Sequence, residues 1–180
     1  MDGHGEYPTF LQVQHGLTPR AIGAIAVVYN IGAMMGGIAC GSLSERYGRR
    51  RTIVAAALLA LPVIPLWAFA GSPVLLALGA FCIQFMVQGA WGVIPVHLNE
   101  LSPEGARGTF PGVTYQLGNL LASVNATLQA SIAAHYGGNY GFAMALVAGI
   151  VAVVIAGLTA FGAEAKGVRF ARVALASGDH

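Results

Sequence analysis

Five long stretches of the chain carry no Asp, Glu, Lys or Arg: residues 21–43, 52–70, 74–97, 109–134 and 142–161. A helix rises 1.5 Å per residue, so about 20 residues cross a hydrocarbon layer of about 30 Å, and each run is close to that length or longer. Lipid offers no partner for backbone N–H and C=O groups, which restricts spanning segments to helices or closed barrels. Charged residues make up 9% of the chain and apolar residues 56%. An ordinary soluble domain carries about 25% charged residues, so this chain has too few to solvate a water-facing surface. The expected fold is an all-α membrane protein with five transmembrane helices.

Residues 1–20 are expected to lie outside these spans. Tyr7-Pro8-Thr9-Phe10-Leu11 is apolar, but Gln12, Gln14 and His15 follow, and Gly16 and Pro19 interrupt the chain. This pattern fits the last turns of a helix and an extracytoplasmic loop, and no cleavable signal peptide is visible. Thr18-Pro19 supplies a cap and a proline for the first span. Gly32 and Gly36, like Gly37 and Gly41, stand four apart, a spacing that lets a second helix approach closely in lipid. Pro62 and Pro65 predict a kink in the second span. Gln84 and Gln88, four apart in the third, are expected on one face. The fourth span is the most polar, the fifth is nearly featureless, and 162–180 reads as a polar tail. The expected units are therefore 1–20, a bundle over 21–161, and the tail. Cys40 and Cys82 have no metal or redox spacing and read as small packing residues.

The cations supply an independent check. With five spans, one face carries Arg46, Arg49, Arg50, Arg51, Arg107, Lys166, Arg169 and Arg172, and the other only Arg20. The positive-inside rule puts the first face, with the C-terminal tail, in the cytoplasm. A four- or six-span count would scatter these charges. The expected location is a multi-pass position in the plasma or inner membrane.

The stretch between the first two spans has Gly41, Leu43, Glu45, Arg46, Gly48, Arg49, Arg50 and Arg51 at fixed offsets. It resembles the signature loop of the major facilitator superfamily. An ordinary cytoplasmic loop would account for the arginines, but not for the glycines, the leucine and the acid. A second stretch, with Glu100, Pro103, Arg107 and Gly108, resembles the Glu-x-x-Pro-x-x-x-Arg-Gly loop of sugar and organic-acid porters in that superfamily, at the same two-span offset. The resemblance implies that these residues tie helices together on the cytoplasmic side during the transport cycle. Carried over, Glu45 would face the start of the fourth span near 109–112. Arg46 and Arg49 would pair with an acid, and Glu100 is the expected partner.

Residues 7–16, 97–112 and 115–123 are similar to the seventh, tenth and eleventh helices of proton-coupled monocarboxylate and sialic acid symporters. The chain would then correspond to spans eight to twelve of the C-terminal half, with a truncated seventh. The resemblance implies part of a secondary active symporter for a small organic anion and a proton, not active without an N-terminal half. That subfamily's seventh helix carries a His, a Gln-Asp pair and a Thr. Thr9 fits the last of these, while His4 and Glu6 fall at the wrong offsets, so proton coupling is not carried onto either.

Tyr29, Asn30, Gln84, Gln88, Tyr115, Gln116 and Asn119 are polar residues within spans and candidates for a substrate path. Packing by interhelical hydrogen bonds is the competing role for each. His97 and His135, at span ends, read as structural. Gly137, Gly138 and Gly141 lie between two spans with no strand before them, which rules out a nucleotide loop. The spans hold no acidic pair, metal-ligand cluster or Ser-His set, so an enzyme is not expected. Lipid, the anion and the proton are the expected partners, with no cofactor, metal or nucleic acid. A sugar porter and a non-transporting membrane scaffold remain alternatives.

Overall fold

The computed structural model describes residues 6–13, 15–102 and 108–163. They form α1 (Glu6–Val13), α2 (Pro19–Tyr47), α3 (Arg49–Ala60), a 3₁₀ turn (Leu61–Val63), α4 (Ile64–Phe69), α5 (Pro73–Leu101), α6 (Phe110–Ala122), α7 (Asn125–His135) and α8 (Tyr140–Phe161). Four helical segments are long and apolar enough to cross a membrane: α2, the α3-to-α4 stretch, α5 and α8. No strand occurs among the described residues. The protein is an all-α membrane protein.

Helix ends follow the local chemistry. Thr18 Oγ1 accepts from the Ala21 N–H at 3.3 Å, with Pro19 opening α2. Ser72 caps α5 in the same way through Leu75 N–H at 3.3 Å, and Asn139 caps α8 through Phe142 N–H at 2.9 Å. Pro62 falls in the 3₁₀ turn and Pro65 in the first turn of α4, so the second span bends where its two prolines remove backbone donors.

Two expectations need correction. The stretch 41–51 is not a loop. α2 runs unbroken through Glu45 and Arg46 to Tyr47, and α3 starts at Arg49, leaving Gly48 alone at φ 110°. Nothing in Ser42-Leu43-Ser44-Glu45-Arg46 breaks a helix. The turn is made by the one residue with no Cβ to penalise a positive φ. Likewise Asn99 and Glu100 belong to the last turn of α5. The fourth run is also not one helix. It divides into α6 and α7 around Ser123 and Val124. Ser123 Oγ donates to the Leu120 carbonyl at 2.7 Å, and its N–H is shared between Asn119 and Leu120 carbonyls at 2.9 and 3.3 Å. Such competition for carbonyls tightens and bends a helix.

The main packing is α2 on α5. A Cβ on Gly32 would lie 2.5 Å from the Phe81 carbonyl oxygen, and one on Gly36 would collide with the Phe85 carbonyl. Gly89 approaches Cys40 in the same manner. The pairs 32/81, 36/85 and 40/89 advance together four residues at a time, so the two helices run parallel in one register. α3 and α4 pack on α5 and α8, while Phe10 and Leu11 of α1 are buried beside Ile25, Leu76 and Met144.

Candidate functional site

The arginine-bearing end of the bundle is cross-linked. Because α2 and α5 run parallel, the α2–α3 turn and the end of α5 meet. Arg49 Nη2 donates to Glu100 Oε1 at 3.2 Å, and its Nε lies 3.4 and 3.3 Å from the two carboxylate oxygens. Arg49 Nη1 also donates to Ser44 Oγ at 2.6 Å, and that hydroxyl donates to the Gly41 carbonyl at 2.7 Å. Arg49 and Glu100 are only 15% and 10% exposed, and Ser44 is buried, so water screens this pair weakly. Arg50 Nη1 donates to the Gly162 carbonyl at 2.8 Å, placing a cation on the C-terminus of α8.

The other signature residues lie around this cluster. Arg46 sits 5.7 Å from the Tyr47 ring centroid. Glu45 and Leu43 are exposed, and Glu45 makes no hydrogen bond or ion pair with the first turn of α6. Arg51 is exposed at the start of α3. Gly108 begins the approach to α6, while Pro103 and Arg107 lie outside the described residues.

A cavity of about 370 Å³ lies between α2, α3, α4, α5 and α8. Tyr29 and Gln84 both line it and interact across the α2–α5 contact. Trp67 and Trp91 also line it, and the buried Trp67 Nε1 has no acceptor. Tyr7 of α1 stacks on Tyr29 and Trp67, with ring centroids 6.1 and 5.3 Å away. The rest of the lining is aliphatic.

The remaining candidates fall elsewhere. Gln88 lines a separate, more open hollow with Gly37, Trp91 and Tyr115, so the two glutamines serve different spaces despite their spacing. The Tyr115 ring lies 5.9 Å from that of Trp91. Gln116 faces a surface hollow along α6, and Asn119 Nδ2 donates to it at 3.4 Å. Asn30 is exposed and donates to the Ala26 carbonyl at 2.7 Å within its own helix. Among the described residues, no group of His, Cys, Asp or Glu could hold a metal ion.

Residues 6–175 match the family described as Major Facilitator Superfamily. The chain belongs to that superfamily. It is 39% identical over 121 residues to a carboxylic acid transporter protein homolog of Saccharomyces cerevisiae, which covers 67% of this chain and 20% of that protein. It is 31% identical over 103 residues to the solute carrier family 2 facilitated glucose transporter member 1 of Gallus gallus, covering 54% and 21%. The chain thus spans about a fifth of the length of these relatives. A transporter family, not an enzyme family, is the setting for both sites. Two residues of this superfamily member escaped sequence reasoning. Ser44 stands at an unspecified position of the signature, and Trp67 stands in the second span with no motif around it.

Proposed function

We propose that the chain is part of a secondary active symporter that moves a small organic anion, monocarboxylate or sialate-like, together with a proton. It works with a complementary N-terminal half, and substrate passes between the two by alternating access. The observation that carries the cargo assignment is the similarity to the carboxylic acid transporter homolog. The Arg49–Glu100–Ser44 cluster supports a gating role for the arginine end, since an ion pair shielded from water is well suited to hold one of two helix arrangements. Glu45 is assigned to the other arrangement, where it meets the positive end of α6. Tyr29, Gln84, Gln88 and Tyr115, on the two hollows, are the substrate-path residues of this half. The arginine end and the tail face the cytoplasm of a plasma or inner membrane.

A sugar porter is the second reading, favoured by the glucose transporter relative. Uptake of labelled lactate and labelled hexose by cells producing this chain with its complementary half separates the two. Lactate accumulation that unlabelled hexose does not suppress is the expected result. Hexose uptake insensitive to lactate would replace the proposal with the second reading, and uptake of neither would remove the small-solute assignment.

A further inference from the structure

We propose that the exposed side of α2 and α6–α7 is a two-fold interface, on which a second copy of this chain takes the place of the complementary half. The inference rests on the passage between two halves proposed above. It names a partner for the side of the bundle that borders that passage.

Two sides of the bundle differ in chemistry. On α8 the exposed residues Leu146, Ile150, Val153, Val154 and Leu158 are all aliphatic, as contact with lipid requires. On α2 and α6, by contrast, Asn30, Gln116 and Asn119 are exposed within apolar runs. Polar groups at membrane depth are costly against hydrocarbon, and they face protein or a water-filled space instead. The hollow lined by Gln88, Trp91 and Tyr115 lies between these same helices.

Two apolar stripes flank that hollow. On α2, Val27, Ile31, Met34 and Ile38 are exposed at spacings of four, three and four, and the exposed Glu45 ends the series. On α6–α7, Phe110, Val113, Leu117, Leu120, Val124 and Leu128 are exposed at spacings of three and four. Such spacing marks the seam between two packed helices. Within one chain the stripes do not meet, because α2 and α6 each pack on α5 with the hollow between them.

The stripes fit each other. α2 ends at the arginine end and α6 begins there, so the two run in opposite directions. Laid antiparallel, they keep one register: Ile38 with Leu117, Met34 with Leu120, Ile31 with Val124 and Val27 with Leu128. The same register brings Glu45 to Phe110, at the N-terminus of α6. That N-terminus has no acid in its first turn and no side-chain cap, so a carboxylate complements it. Gly41, with nothing within 4 Å of an added Cβ, lies on the same seam and leaves room for Val113. Both stripes belong to one chain, so a two-fold axis along the membrane normal makes every contact twice. The same kind of axis relates the two halves of superfamily transporters, and it turns the two hollows onto one central space.

The test is disulfide cross-linking of the full chain in membranes, with Cys40 and Cys82 replaced by Ala. Two differently tagged copies are produced together, one with Ile38→Cys and the other with Leu117→Cys. A second pair carries Val27→Cys and Leu128→Cys. Both pairs should form a mixed dimer on oxidation, since a disulfide requires Cα atoms within about 7 Å. The pair Val27→Cys and Leu117→Cys, about 16 Å out of register, should not. Glu45→Gln should raise the dimer dissociation constant roughly tenfold, because symmetry counts the helix-end contact twice. Production of the complementary half alongside should suppress the cross-links, as both partners need the same side of the bundle.

Equal cross-linking of in-register and out-of-register pairs overturns the proposal, as does a chain that stays monomeric in vesicles by stepwise photobleaching. A dissociation constant unmoved by Glu45→Gln overturns the antiparallel pairing. Cross-links that persist with the complementary half bound place the second copy elsewhere and also overturn it. A monomeric chain that still carries lactate with its complementary half would remove this inference and leave the transport reading. In-register cross-links without uptake of any small solute would do the reverse.

Discussion

Glu100→Gln is expected to lower the thermal stability of the purified protein by about 3 kcal/mol, the order of cost for leaving a buried charge without its partner. The neutral amide retains the shape of the carboxylate but not its charge, while the Arg49 guanidinium stays 15% exposed with Ser44 as a remaining acceptor. The diagnostic comparison is the double variant Arg49→Met/Glu100→Leu. Replacing both charges by apolar groups removes the desolvation problem with the attraction, so most of the lost stability should return. Thermal unfolding of the four proteins in one detergent gives the coupling. A double variant no more stable than Glu100→Gln would show that the pair is not the source of the loss. In the completed transporter, weakening this contact should also shift the balance between its inward- and outward-open states.

Gly36→Leu is expected to have the larger effect, about 3 kcal/mol or more, or failure to accumulate in the membrane at all. Overpacking is tolerable when a flexible side chain yields, but here the obstruction is the Phe85 backbone carbonyl of a parallel helix. α2 and α5 would have to separate along the register that also holds Gly32 and the Cys40–Gly89 contact. Gly23→Ala is the control on the same helix. Nothing lies within 4 Å of its added methyl, and alanine is the better helix former, so no loss is expected. Equal behaviour of the two variants, read as yield and unfolding temperature, would remove close α2–α5 packing from the account.

Much of this fold was legible because the solvent is lipid. Runs without charge and of membrane length can only be helices or barrels, and the cap at Thr18 marks the start of the first. The glycine spacing at 32 and 36 pointed to a close helix contact, which the structure places on α5. Gly41 carries the same spacing and meets nothing, because spacing defines a face and does not say what lies opposite it. The divided fourth run was hidden for a related reason. Ser123 is an unremarkable residue whose hydroxyl bends the chain only by competing for a carbonyl already in the helix ladder. Gln84 and Gln88 share a face by count. One helix turn advances the side chain enough for them to fall on either side of the α2 contact, into different hollows. Ser44 and Trp67 carry no motif, and their surroundings come wholly from tertiary packing.

The central claim is that the completed protein carries an organic anion and a proton inward together. Its most direct test is substrate-driven proton entry into vesicles containing this chain and its complementary half, with a pH-sensitive dye trapped inside. Lactate added outside should acidify the lumen faster than in protein-free vesicles, in step with labelled lactate uptake, while hexose should leave the dye unchanged. Lactate entry at the protein-free rate, or hexose entry with no change in pH, would contradict it.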